Sequence, residues 1–106
     1  MIRPSLPPLA REYADLVRQR LGAQIKRIIL FGSRARGDAT STSDYDILLL
    51  VENNTPEVRE AVLDADLEML DRHQALFSTM VYEGAEWHHR HNLPWAWNIA
   101  QEGLSL

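Results

Sequence analysis

Apolar residues at Leu9, Tyr13, Leu16, Val17 and Leu21 recur with helical spacing. Gly22 follows them, where a helix C-terminus favours a residue free to take positive φ. The pattern predicts a helix from about Pro8 to Leu21, after a start held extended by Pro4, Pro7 and Pro8. The period then changes. Residues 25–31 are rich in branched side chains and nearly all apolar after Arg27, as suits a strand covered on both faces, and Gly32 ends the run. Residues 38–43 form a polar connector with turn chemistry. A second strand is predicted over Tyr45 to Val51, broken by Glu52, Asn53 and Asn54. Thr55-Pro56 joins a hydroxyl N-cap to a proline at the first helical position. Val58, Ala61, Val62, Ala65, Met69 and Leu70 mark one face of the helix that follows, to about Gln74. Leu76 to Tyr82 alternates loosely and predicts a third strand. Short helices are expected over Glu83 to His91 and Pro94 to Glu102, the second closed by Gly103.

The element order is therefore α-β-β-α-β-α-α, an α/β (α+β) domain with a small mixed sheet and flanking helices. The unit from 45 to 82 makes a right-handed crossover if its two strands are parallel. The connector between the first two strands is only about a dozen residues, which favours antiparallel or mixed pairing there. No internal repeat, low-complexity tract or linker interrupts the chain. At 106 residues, 1–106 reads as one domain.

Charge narrows the partners. Eleven basic and fifteen acidic side chains leave a net charge of −4. The chain lacks the broad basic surface that non-specific DNA binding uses, so no direct DNA binding is expected. Nucleotide contacts must be local, through a few arginines and backbone N–H groups. The absence of cysteine excludes disulfides, thiolate zinc sites and cysteine nucleophiles. The first residues have no apolar core of the secretory kind. The longest apolar run, Ile47 to Val51, is far too short to cross a bilayer. A soluble, cytoplasmic protein without a membrane association is expected.

The chemistry concentrates in residues 31–46, Phe-Gly-Ser-Arg-Ala-Arg-Gly-Asp-Ala-Thr-Ser-Thr-Ser-Asp-Tyr-Asp. Gly32 lets the backbone approach a phosphate, since no Cβ stands in the way. Ser33 can cap the turn and offer its hydroxyl to a phosphate oxygen, and N–H groups at such a turn attract anions. Arg34 or Arg36 can add charge-assisted bonds. Asp44 and Asp46 on a strand point to one face, with Cα atoms about 6.5–7 Å apart. Two carboxylates at that spacing can share one Mg²⁺ or bracket two, with phosphates and water as the other ligands. A lone Gly-Ser turn or a lone Asp-X-Asp is ordinarily just a turn or a cap. Their conjunction, between two strands, carries the functional reading.

Gly32, Ser33, ten residues, then Asp44 and Asp46: this segment resembles the minimal nucleotidyltransferases of the DNA polymerase β-like superfamily. Met80-Val81-Tyr82, Glu86-Trp87 and the stretch Asn98 to Gly103 resemble the same family, so the likeness spans nearly the whole chain. The resemblance implies the nucleotidyltransferase fold and Mg²⁺-dependent transfer of a nucleoside monophosphate, AMP from ATP, to an acceptor hydroxyl. It assigns Gly32, Ser33, Arg34 and Arg36 to the nucleotide, and Asp44 and Asp46 to metal binding and catalysis. It also implies a small helical partner of the HEPN type, to which such proteins act as antitoxins, some by adenylylating a tyrosine of that partner.

One element of the family pattern is missing. A third carboxylate is expected on the strand after the long helix, and alignment puts that position at Leu76, with no Asp or Glu inside the strand. Glu83, Glu86 and Asp38 are the acidic residues that could substitute. Two readings of different class follow: a protein adenylyltransferase, favoured by the intact Asp-X-Asp, and a catalytically impaired module that neutralises its partner by binding, favoured by Leu76. A P-loop NTPase is weaker, because Gly32–Gly37 lacks the Gly-Lys-Ser/Thr ending. His88, His89 and His91 read as a solvated helix face rather than a zinc site. Trp87 reads as core, while Trp95 and Trp97 divide evenly between core and docking surface. Homodimerisation is plausible, although no residue of the sequence argues for it.

Overall fold

The computed structural model describes residues 6–90 and 94–106; of His88, His89, Arg90 and Trp95 it describes the backbone alone. Expectations that fall on Pro4, on His91 or on the side chains of His88, His89 and Trp95 lie outside the described residues.

Helix α1 spans Pro8–Leu21. Ala10, Tyr13, Ala14 and Val17 are its buried residues, and Gly22 caps it with φ 52° and an N–H to the Arg18 carbonyl. A single 3-10 turn leads into β1 (Ile25–Phe31). One helical turn, α2 (Ser33–Arg36), follows Gly32. Strand β2 (Tyr45–Val51) is buried along all but Asp46. Helix α3 (Pro56–His73) starts at Thr55, whose hydroxyl accepts the Val58 N–H at 3.2 Å. It ends at Gln74, in the left-handed region at φ 53°. Strand β3 (Phe77–Glu83), helices α4 (Gly84–Arg90) and α5 (Pro94–Glu102), and a two-residue strand β4 (Leu104–Ser105) complete the chain.

The sheet order is β3-β2-β1-β4. The short β1–β2 connector gives antiparallel pairing, whereas α3 carries the chain back so that β3 runs parallel to β2. The result is the mixed sheet expected. Two cores cover its faces. Helices α1 and α3 pack on Ile28, Leu30, Ile47, Leu49 and Val51. On the other face Ile99 of α5 joins Ile29, Leu48 and Leu50, with Phe31, Met80, Tyr82 and Trp87 packed around them. Trp87 thus belongs to the core side, while Trp97 is 59% exposed.

Two expectations need correction. Leu70 was assigned to the core face of α3, but Val58, Val62, Ala65 and Met69 form that face and Leu70 is 41% exposed. It belongs to a second apolar row, with Leu63 and Leu67, three or four residues apart on the outer side of the helix. The third strand runs one residue further than expected, so Glu83 is its last residue. Strand β4 was not anticipated.

Candidate functional site

Gly32 sits between β1 and α2 with φ 76° and ψ −158°, a conformation essentially reserved for glycine. Its carbonyl accepts the N–H groups of Ala35 and Arg36 at 3.1 and 3.0 Å. Gly37 leaves the turn with φ 87°, its N–H bonded to the Ser33 carbonyl. The tight turn brings Ser33 and Arg36 to the end of β1. Register does the rest: Phe31 pairs with Asp46. A Cβ on Gly32 would fall on the Asp46 carboxylate. The glycine is needed both for its dihedrals and for this contact.

Asp44 is exposed just before β2, and Asp46 is half-buried as its second residue. Tyr45 and Ile47 between and beside them are buried on the α1–α3 side. Burial raises the Asp46 pKa, the neighbouring Asp44 charge raises it further, and Arg36 draws it back down. The charge of Asp44 thus disfavours the ionised form of Asp46. A cavity of about 450 Å³ opens beside Asp46, lined by Gly32, Arg36, Asp46, Ser78, Asn98 and Glu102 over a floor of Phe31, Met80 and Ile99; Asp44 does not line it. That volume lies within the range of small-molecule sites.

The chemistry of the pair suits a hard cation. Asp46 lines the cavity, Asp44 is near enough for its charge to act on Asp46, and Mg²⁺ characteristically takes one or two carboxylates beside phosphates and water. Among the described residues no third His, Asp or Glu joins them in a metal-holding group.

The two arginines have different places. Arg36 faces the Asp46 cavity and is held there by Asp38 at 3.3 Å and Glu102 at 3.1 Å. Arg34 lies elsewhere. Its guanidinium stacks 4.3 Å from the Tyr45 ring and bonds the Ser43 carbonyl through Nε and Nη2 at 3.2 and 2.9 Å. It caps a ring stack of Tyr45, Phe77 and Tyr13, with centroid distances of 4.6 and 4.4 Å, and lines a different cavity.

Leu76, the position at which the third carboxylate is expected, lies away from the Asp46 cavity. Leu76 precedes β3, is 53% exposed and lines the Arg34 cavity. Ser78 is the residue that pairs with Asp46 and shares its cavity. Of the three suggested substitutes, Glu83 lies at the far end of β3, opposite Val51, where it accepts the Asn54 N–H at 2.9 Å. Asp38 is paired with Arg36 outside the cavity lining, and Glu86 does not line the cavity. Glu102 and Asn98 do line it, and the sequence reading missed both. Their one signal is the i, i+4 spacing on α5, which puts them on one side of that helix.

The fold and this turn can be set beside known proteins. The chain matches the family model "Nucleotidyltransferase domain" over residues 10–90. It belongs to that family. A Methanocaldococcus jannaschii protein named "Putative protein adenylyltransferase MJ0604" is 29% identical over 96 residues, covering 91% of this chain and 92% of the relative. A second from the same organism, "Putative protein adenylyltransferase MJ0141", is 30% identical over 76 residues, 71% of this chain and 77% of its own length. Among solved structures, a toxin–antitoxin complex with AMP-PNP aligns with a TM-score of 0.66 at 17% identity, covering 91% of this chain and 70% of the other. A complex of tri-AMPylated Shewanella oneidensis HEPN toxin with MNT antitoxin aligns at 0.59 and 14%, covering 92% and 67%. These two establish the shared fold. Among the described residues of this nucleotidyltransferase-family chain, no helix is long and apolar enough to cross a membrane.

Proposed function

We propose that this protein is a Mg²⁺-dependent adenylyltransferase that moves AMP from ATP to a hydroxyl of a partner protein, a tyrosine of a HEPN-type toxin, and so acts as its antitoxin. The observation that carries the reading is the contact between Asp46 and Gly32, which sets a carboxylate, with Asp44 close enough to act on its charge, against the glycine turn. The toxin–antitoxin complexes that share the fold, one with AMP-PNP and one with a tri-AMPylated toxin, support the choice of nucleotide and acceptor.

Asp44 and Asp46 would hold the magnesium, whose charge offsets that of the triphosphate and polarises the phosphate under attack. Without a cation the site repels a triphosphate, because Asp44, Asp46 and Glu102 outnumber Arg36. Gly32 and Ser33 contact the phosphates through backbone N–H and hydroxyl groups. Arg36 exchanges its exposed carboxylate partners for phosphate oxygens, a small cost given how weak exposed ion pairs are. The acceptor oxygen forms a bond to the α-phosphorus, the bond from that phosphorus to the bridging oxygen breaks, and pyrophosphate leaves. The acceptor proton passes to solvent, since Ser78 offers no carboxylate beside Asp46.

Ser78 in that place also favours the second reading, a nucleotide-binding module that neutralises its partner by masking it. Incubation with α-labelled ATP, Mg²⁺ and the co-expressed partner separates the two. Label on the partner that disappears with Asp44→Asn establishes transfer. A tight, unlabelled complex establishes masking.

A further inference from the structure

Successive residues of a strand turn to opposite faces of the sheet. On β3 the Thr79 hydroxyl donates to Asp66 and lies 2.6 Å from that of Tyr13, so Thr79 belongs to the face covered by α1 and α3. Ser78 therefore turns to the other face, which carries the Asp46 cavity. Parallel register makes Asp46 and Ser78 neighbours on β2 and β3, about 4.8 Å apart across the strands. Among the described residues that line this cavity, Ser78 alone bears a hydroxyl. It is the second residue of β3 and is exposed.

The hydroxyls nearest to it in the chain and in the sheet are engaged or turned away. Tyr13 and Thr79 share Asp66. The ring of Tyr45, next to Asp46 in the chain, is buried on the opposite face between Phe77 and the Arg34 guanidinium. Thr40 and Ser43 are bonded to each other within the connector. Among the described residues no hydrogen bond engages the Ser78 hydroxyl.

A serine beside Asp46 cannot serve a cation as a carboxylate would. Its oxygen is, however, the kind of nucleophile that group transfer consumes. The fold already holds it in the cavity, so no second molecule has to be captured and oriented for it to react.

We infer that Ser78 is itself an acceptor, and that with ATP and Mg²⁺ the chain adenylylates its own β3. This rests on the proposed adenylyl transfer, because the same bound ATP is the donor, but it does not depend on the identity of the partner. Ser78 Oγ forms a bond to the α-phosphorus while the bond from that phosphorus to the bridging oxygen breaks. Pyrophosphate leaves with that electron pair, and the hydroxyl proton passes to solvent, to which Ser78 is open. The product is a phosphodiester that tethers AMP to β3 inside the cavity. Each chain reacts once, and the tethered AMP then occupies the place that ATP needs.

Mass spectrometry of the whole chain, before and after incubation with ATP and Mg²⁺, tests this, with a parallel incubation that includes the co-expressed partner. The measurement before incubation records any AMP acquired during expression. The wild type should carry a single AMP, and peptide fragmentation should place it on Ser78 rather than on Thr79 or Tyr82. Ser78→Ala should carry none while folding as the wild type does, since an exposed side chain is removed. Asp44→Asn should carry none either. AMP on another residue, or labelling that survives Ser78→Ala, overturns the inference. So does a partner that gains AMP beside a chain that carries none at either stage, an outcome that leaves the proposed function standing. If neither chain nor partner gains AMP, the proposed transfer fails and this inference fails with it.

Discussion

The Asp46 carboxylate occupies the space into which a Cβ on Gly32 would project. Sequence distance hides this relationship, and strand register creates it. Gly32→Ala must therefore displace the carboxylate and hold a glycine-only backbone at once. The expected cost is about 1–3 kcal/mol of folding stability from the backbone alone. ATP binding should be lost even in the fraction that folds, as measured by denaturant titration and calorimetry side by side.

Asp46 carries a cost in the ligand-free fold, because burial and Asp44 both raise its pKa. The protonated form is the one the fold favours. Its contribution is present below the ordinary carboxylate pKa and is lost as pH rises through the raised value. Asp46→Asn should then increase the melting temperature at neutral pH and flatten its dependence on acid. The same change should lower transfer by roughly 100-fold or more, beyond what loss of an outer-shell partner causes. Magnesium affinity of the wild type should fall as pH drops through the raised pKa, since the cation needs the carboxylate. A melting temperature lowered by the asparagine would contradict this account.

Ser78 and Leu76 offer a paired experiment on the missing carboxylate. Ser78 stands beside Asp46, while Leu76 lines the Arg34 cavity. Ser78→Asp should raise the rate of transfer roughly tenfold or more, given what a positioned base contributes. Leu76→Asp should leave it unchanged. The reverse pattern would place the third position where alignment alone puts it.

On the opposite face, the Tyr13 hydroxyl donates to Asp66 at 2.6 Å, and Thr79 donates to the same oxygen at 3.1 Å. These bonds tie α1, α3 and β3 together. Burial raises the Asp66 pKa, and the two donors counter it only in part. Tyr13→Phe leaves a half-buried carboxylate short of a donor, at about 1–3 kcal/mol. The loss should be larger where Asp66 is ionised than below its pKa, and ATP binding should be unaffected. Urea midpoints at two pH values check both points.

Local chemistry made much of this readable in advance. Pro8 and Gly22 bound α1, and Thr55-Pro56 opens α3, because caps act within a single turn. The Gly32 turn and the aspartate pair were legible for the same reason. What escaped depends on contacts distant along the chain. β4 exists only through pairing with Ile29 and Leu30. Asn98 and Glu102 reach the site because α5 packs over β2 and β1; their i, i+4 spacing puts them on one side of the helix without saying what that side meets. Ser78, and not Leu76, stands beside Asp46 because parallel register is set by the crossover as a whole. Leu70 was misplaced because α3 carries two apolar rows, one buried and one outward. No spacing shows that Arg34 stacks on the Tyr45 ring and lines a cavity other than that of Asp46.

Strand β2, which carries Asp46, has a neighbour on each side and a core on each face. Amide protons of such an interior strand exchange with solvent only through openings close to the full unfolding free energy. Fraying at the ends of the chain then leaves Asp46 in place. The protein should keep its chemistry undiminished as denaturant rises and surrender it in the same narrow transition that takes the whole fold.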